Sequence, residues 1–283
     1  MDRTKDSRVG RNSRSLSLRC WLVLLSLLAA APAARASGGK KEDWDSFKLR
    51  FDLYWFYSQP SGSFTSKGNT GSFDLQKDVS FDSYSTFYGK VDWKFTRKNH
   101  LFFIGTSFDN SKTFRANRTI VFQGQTFAVN SIITGSLHVQ GLAPGYQYDF
   151  IRRKRWNLGG QVQIDIFDVT GSLNALAQIN NGVPQTAVFS SGSIRAPIPV
   201  AGPEIRFYPA ERFFVTANVL GMYLFGYGNY VSSQGTVGLK LTKNIALRGG
   251  YQLASRLNVN TKSQRLGVSL TQKGALAGLE LSF

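Results

Sequence analysis

From Phe47 to Tyr57 every odd position is apolar or aromatic, while Lys48, Arg50 and Asp52 open the even set. A period of two marks a β-strand with one apolar face. The pattern recurs along the chain. Phe87, Val91, Trp93 and Phe95 share one face, opposite Tyr84, Thr86, Tyr88, Lys90, Asp92 and Lys94. Val237, Leu239 and Leu241 alternate with Thr236, Gly238 and Lys240, and Leu247, Tyr251 and Leu253 alternate with Arg248, Gly250 and Gln252. At the C-terminus Ala277, Leu279, Leu281 and Phe283 face away from Gly278, Glu280 and Ser282. Extended over the chain, this reading predicts ten strands, at 47–57, 79–95, 101–123, 126–151, 158–174, 196–208, 213–226, 230–242, 245–257 and 264–283. Eight is the alternative, if one hairpin is loop.

The connections are of two kinds. Thr96-Arg97-Lys98-Asn99, Arg152 to Asn157, Pro209-Ala210-Glu211-Arg212 and Lys243-Asn244 are tight and polar. Ser58 to Gln76 and Ala175 to Ser193 are long and rich in Gly, Ser, Asn and Thr. Tight turns at one end and long loops at the other belong to an up-and-down membrane barrel. Segments 90–101, 203–214 and 238–247 each read as strand, tight polar turn, strand, a weak hairpin repeat. The third and fourth strands, joined near Gly124-Gln125, are long enough to project beyond a membrane as a hairpin. The apolar face changes parity around Phe167 and again near Gln272-Lys273-Gly274, which predicts bulges there. Trp55, Tyr57, Trp93, Phe95, Tyr146, Tyr148 and Phe150 suit aromatic girdles at a lipid–water boundary.

The N-terminus has a different character. Arg3, Lys5, Arg8, Arg11, Arg14 and Arg19 precede an apolar run from Cys20 to Ala31, and Ala34-Arg35-Ala36 comes before Ser37. This is the layout of a secretory signal peptide cleaved between Ala36 and Ser37. The run is shorter than the roughly 20 residues a spanning helix needs. The expected organisation is a signal peptide over 1–36, a short segment over 37–46 and a barrel over 47–283. Cys20 is the one cysteine and lies in the signal, so the mature chain has neither disulfide nor thiolate chemistry. Residues 1–36 hold seven of the 34 basic and two of the 17 acidic residues, leaving 27 against 15 beyond them. In an exported chain that surplus points to anionic lipid head groups or lipopolysaccharide rather than nucleic acid.

The terminal strand ending in Phe283, the signal peptide and the turn–loop asymmetry resemble the porin-like superfamily of outer-membrane β-barrel proteins. The resemblance implies an all-β, closed, antiparallel up-and-down transmembrane barrel in the outer membrane of a Gram-negative-type bacterium. It also implies that Leu279, Leu281 and Phe283 are read as an assembly signal, with periplasmic chaperones and the outer-membrane assembly machinery as partners. It carries over no functional residues.

No catalytic residue, metal ligand set or cofactor motif stands out. His100 lies by a tight turn, and His138 shares a strand face with Ser136 without an orienting carboxylate. Asp149, Asp165 and Asp168 fall on adjacent predicted strands and form the best candidate for paired carboxylates. The phases instead collect charges of both signs on one face: Arg50, Asp52, Lys90, Asp92, Asp149, Asp165, Glu204, Arg206, Lys240, Arg248 and Glu280, with Lys48 beside them. Facing lipid near the midplane, an Arg or Lys costs about 2–4 kcal/mol, so these residues are expected to line the lumen. In so small a barrel they would pair and plug it. The expected protein is a structural or binding barrel with exposed loops. A narrow channel for small solutes is the alternative, ahead of a barrel enzyme or a soluble periplasmic lipid-binding barrel.

Overall fold

A computed structural model describes residues 44–66, 72–175, 178–180, 183–185, 188–224, 228–261 and 266–283. The expected signal peptide and its cleavage point, Ala36–Ser37, lie outside them. Ten strands form the wall: β1 (Leu49–Ser66), β2 (Tyr84–Lys94), β3 (Asn99–Arg115), β4 (Ile132–Arg152), β5 (Trp156–Ala175), β6 (Val188–Ala210), β7 (Phe213–Leu224), β8 (Gly228–Lys240), β9 (Ile245–Thr261) and β10 (Leu266–Ser282). Each pairs antiparallel with its sequence neighbours, and β10 returns to β1 from Arg50↔Ser282 to Ser66↔Leu266. The sheet is therefore closed and has no edge. Phe283 completes the seam: its N–H donates to the Leu49 carbonyl at 2.8 Å, and its own carbonyl accepts from Lys48 at 2.6 Å and Leu49 at 3.0 Å.

Most strands turn inside out partway along without changing phase. On β1, Leu53, Trp55 and Tyr57 face outward and are apolar, while Arg50, Asp52 and Tyr54 face inward. Beyond Tyr57 the outward Gln59 and Thr65 are polar and the inward Phe64 is apolar. On β5, Val162, Ile164 and Ile166 face out with Gln163 and Asp165 inside; higher up, Val169 and Leu173 are buried and Asp168 and Ser172 lie outside. The turn-end half is built like a membrane barrel and the loop-end half like a soluble one. From Leu49 to Tyr57 the outward apolar run covers eight steps, about 26 Å at roughly 3.3 Å each. At a tilt near 40° that is about 20 Å of height, close to the roughly 25 Å apolar band of such barrels. The wall then continues beyond the belt.

This inversion corrects two expectations. No bulge exists at Phe167: β5 pairs with both neighbours in unbroken register through it. The parity change there marks the exchange of the apolar face from outside to inside. Near Gln272–Gly274 β10 also keeps its phase, and the extra residue sits on β9, between Gln252 and Ser255. Other bulges fall between Asp149 and Ile151 and between Phe207 and Ala210.

Several predicted loops and strands also differ. β1 runs on through Ser66, and β6 begins at Val188, so much of both predicted long loops is wall. Lys48 is exposed at the turn-end rim rather than inside. The hairpin predicted to project at Gly124-Gln125 does not: β3 stops at Arg115, and Ile120–Phe122 pairs with Gln125–Phe127 in a small hairpin of its own. Its turn uses positive φ at Gln123 (50°) and Gly124 (79°). Ile120, Phe122 and Phe127 are fully buried in one cluster with Phe64 of β1, with Phe73, Leu75 and Val79 of the first loop, and with Leu137, Val169 and Leu173 of the wall. The hairpin thus folds inward over the mouth, where apolar side chains escape water.

Candidate functional site

Beneath the cap the interior becomes polar, and its geometry starts from the segment ahead of β1. Trp44 and Asp45 form a turn that tucks into the turn end of the barrel. Asp45 is buried there, accepting hydrogen bonds from the Tyr208 hydroxyl at 2.9 Å and from Asn157 Nδ2 at 2.8 Å. Arg206, Arg50 and Lys94 stand 3.3, 3.4 and 3.6 Å from its carboxylate. Its backbone carbonyl takes Lys94 Nζ at 3.2 Å and Arg152 at 3.0 Å. Lys240 donates to the Trp44 carbonyl. Phe47 lies beneath Lys94 Nζ, 3.8 Å from the ring centre, and Arg50, at 4.2 Å. Desolvation alone would raise the Asp45 carboxyl, but Arg206, Lys94, Arg50 and Arg152 outweigh it and hold the group well below the usual carboxylate range.

Deeper in, inward-facing residues of neighbouring strands and of strands across the lumen meet as ion pairs. Arg50 reaches Asp92 at 2.8 Å; Arg206 forks onto both Glu280 oxygens at 2.7 and 3.0 Å; Arg248 reaches Asp52 at 3.0 Å and Glu280 at 3.3 Å. Lys90 and Glu204 approach to 3.9 Å. His100 lies between two carboxylates, Nδ1 3.0 Å from Asp92 and Nε2 3.1 Å from Asp149. With both nitrogens occupied, the ring is fixed and offers no free site for proton transfer. Buried charges are expensive unless paired and hydrogen-bonded, which is how this layer is built.

The structure brings ten of the eleven residues of the sequence-derived cluster, all except Asp165, into this layer, Lys240 through the Trp44 carbonyl. Asp165 stands apart, with Gln163 as its one hydrogen-bond partner among the described residues. Asp45, Lys94, His100, Arg152 and Tyr208 also belong to this layer and lie outside the sequence-derived cluster. Lys94 shares the parity of Lys90 and Asp92 and was within reach of the same alternation. Asp45 precedes the first strand and belongs to no period.

The paired-carboxylate arrangement does not form. Asp149 sits at the turn end opposite Gly159, whereas Asp165 lies six residues further along β5, about 20 Å at 3.3 Å per residue. Asp168 faces outward and pairs with Arg195 at 2.7 Å. His138 pairs with Asp109 on the exposed outer wall, away from the lumen. Between the charged layer and the apolar cap lies a cavity of about 180 Å³, bordered by Tyr54, Tyr88, Gln161, Asp165, Gln234 and Tyr230 among others.

No protein-family model matches the chain, and no curated protein matches its sequence. Solved structures resemble it in fold. The outer-membrane protease OmpT of Escherichia coli superposes with a TM-score of 0.55 at 11% identity, covering 84% of this chain and 98% of that one. The attachment invasion locus protein Ail of Yersinia pestis gives 0.34 at 11%, covering 82% and 99%. OprG from Pseudomonas aeruginosa gives 0.37 at 9%, covering 86% and 99%. The chain has the closed barrel fold of outer-membrane proteins.

Proposed function

We propose that the protein is an integral outer-membrane barrel that works as a closed scaffold, displaying the part of its wall that stands above the lipid. The observation that carries this reading is that the chain's own residues close both ends of the lumen, Asp45 and Phe47 at one and the 120–127 hairpin at the other. On the outer wall just above the apolar belt, Arg195, Arg256 and Lys273 are exposed. Cations at that height suit the phosphates of lipopolysaccharide. The sealed histidine clamp and the isolated His138–Asp109 pair support a non-enzymatic role. A narrow channel is the second reading, favoured by the cavity midway along the lumen.

Fractionation tests membrane residence: the protein should leave the envelope only with detergent, and recovery in the detergent-free soluble fraction would contradict it. The assembly role assigned to Leu279, Leu281 and Phe283, with the chaperones and assembly machinery, makes a second prediction. Deleting Phe283 removes three backbone hydrogen bonds at the closing seam and an edge-on contact with Phe51. It should reduce the amount of inserted barrel in cells far more than it lowers the denaturation midpoint of barrel refolded in vitro. Equal effects on both would leave Phe283 a purely structural residue.

A further inference from the structure

Asp165 is the exception in the lumen. Asp45, Asp52, Asp92, Asp149, Glu204 and Glu280 each have a cationic side chain within 4 Å. Asp165 has none among the described ion pairs. It is 4% exposed, its Oδ1 accepts from Gln163 Nε2 at 2.6 Å, and its Oδ2 has no partner. It borders the 180 Å³ cavity together with Phe167 and Tyr230, whose ring centres are 5.8 Å apart. A buried carboxylate without a counter-charge is costly, and a cation entering the cavity would relieve that cost. Aromatic faces beside a carboxylate favour an organic ammonium, which gains from the ring quadrupole as well as the charge. The cavity has space for on the order of ten water-sized occupants, enough for a solute of about five heavy atoms.

We propose that this chamber binds a small primary ammonium ion, its charged head on Asp165 and its alkyl part against Phe167 and Tyr230. The charged layer forms the chamber's floor, where Arg50, Lys90, Arg206 and Arg248 border the same space, but each of these cations already has a carboxylate within 4 Å. It does not depend on whether the barrel conducts, because a closed barrel can be loaded while it folds.

The test is to refold the full barrel in detergent in the presence of labelled n-butylammonium or, in parallel, n-butanol, and to dialyse it to equilibrium against the same solute. The expected result is saturable binding of butylammonium near one per barrel and binding of butanol weaker by at least about tenfold, the worth of a hydrogen bond to a charged group. Asp165→Asn should weaken butylammonium binding by a similar factor, while Asp168→Asn, on the outer wall of the same strand, stays within about twofold. Absence of binding, equal binding of amine and alcohol, or undiminished binding by Asp165→Asn would overturn the proposal. So would an equal loss in Asp168→Asn, since the barrel's net charge rather than the Asp165 carboxylate would then be responsible. The amine–alcohol comparison uses the native protein and stands even if a variant fails to fold.

Discussion

Replacing Asp45 by alanine is expected to destabilise the folded barrel by about 3–5 kcal/mol, the cost of removing one partner from a buried charge cluster. The large figure comes from what is left behind. Arg206, Arg50 and Lys94 lose the carboxylate that stands 3.3–3.6 Å from them, and Tyr208 and Asn157 lose an acceptor. The measurement is the denaturant midpoint of the refolded barrel in detergent. Acid should act on the same group. Its folded-state pKa is depressed, so its contribution is complete above the ordinary carboxylate value near 3.9 and is lost as pH falls below that. The loss runs at up to about 1.4 kcal/mol per pH unit. The informative quantity is the difference between the two acid limbs. Wild type should lose stability more steeply than Asp45→Ala below about pH 4. Parallel limbs, or a variant within about 1 kcal/mol of wild type, would show that Asp45 is not the centre of the plug.

The second large effect is at the other end. Phe122 is fully buried, edge-on to Phe73 at 4.8 Å and to Phe64 at 6.4 Å, and those two rings stack at 5.1 Å. Phe122→Ala should cost about 3–5 kcal/mol. Among the described residues the hairpin's ladder pairs only with itself, and the Ser190 hydroxyl, donating to the Phe122 carbonyl at 2.9 Å, ties it to β6, so the loss should appear as local opening rather than unfolding of the wall. Cleavage within 116–131 by an added protease should accelerate by about 100-fold or more, while the strands resist. Val129→Ala, at a residue 46% exposed, is the control and should change little. If Phe122→Ala is cut no faster than the control, the apolar cluster does not hold the cap down.

The wall was legible because lipid and lumen impose opposite demands on alternate residues. In the turn-end half, Arg50 and Asp52 beside Leu53 and Trp55 give the phase of β1, and the same logic places Glu280 and Arg248. Above the belt that logic reverses. Periodicity reports which face is apolar, not which face is inside, so at Phe167 an exchange of environments looked like a bulge. The hairpin failed for a related reason. Ile120, Phe122 and Phe127 alternate as any strand would, and only distant Phe64 and Phe73 draw them inward. The signal was present, since two phenylalanines in a stretch otherwise rich in Gly and Ser need somewhere to bury. Asp45 offered no local signal, because its role depends on five strands converging around it.

The central claim is that the chain seals its own lumen, and single-channel recording in a planar bilayer addresses it most directly. The native barrel should be electrically silent. A variant with Asp45→Ala and residues 118–129 replaced by a short Gly-Ser linker should show discrete openings. Sustained, discrete conductance from the native barrel would contradict the closed lumen and leave the narrow channel as the correct reading.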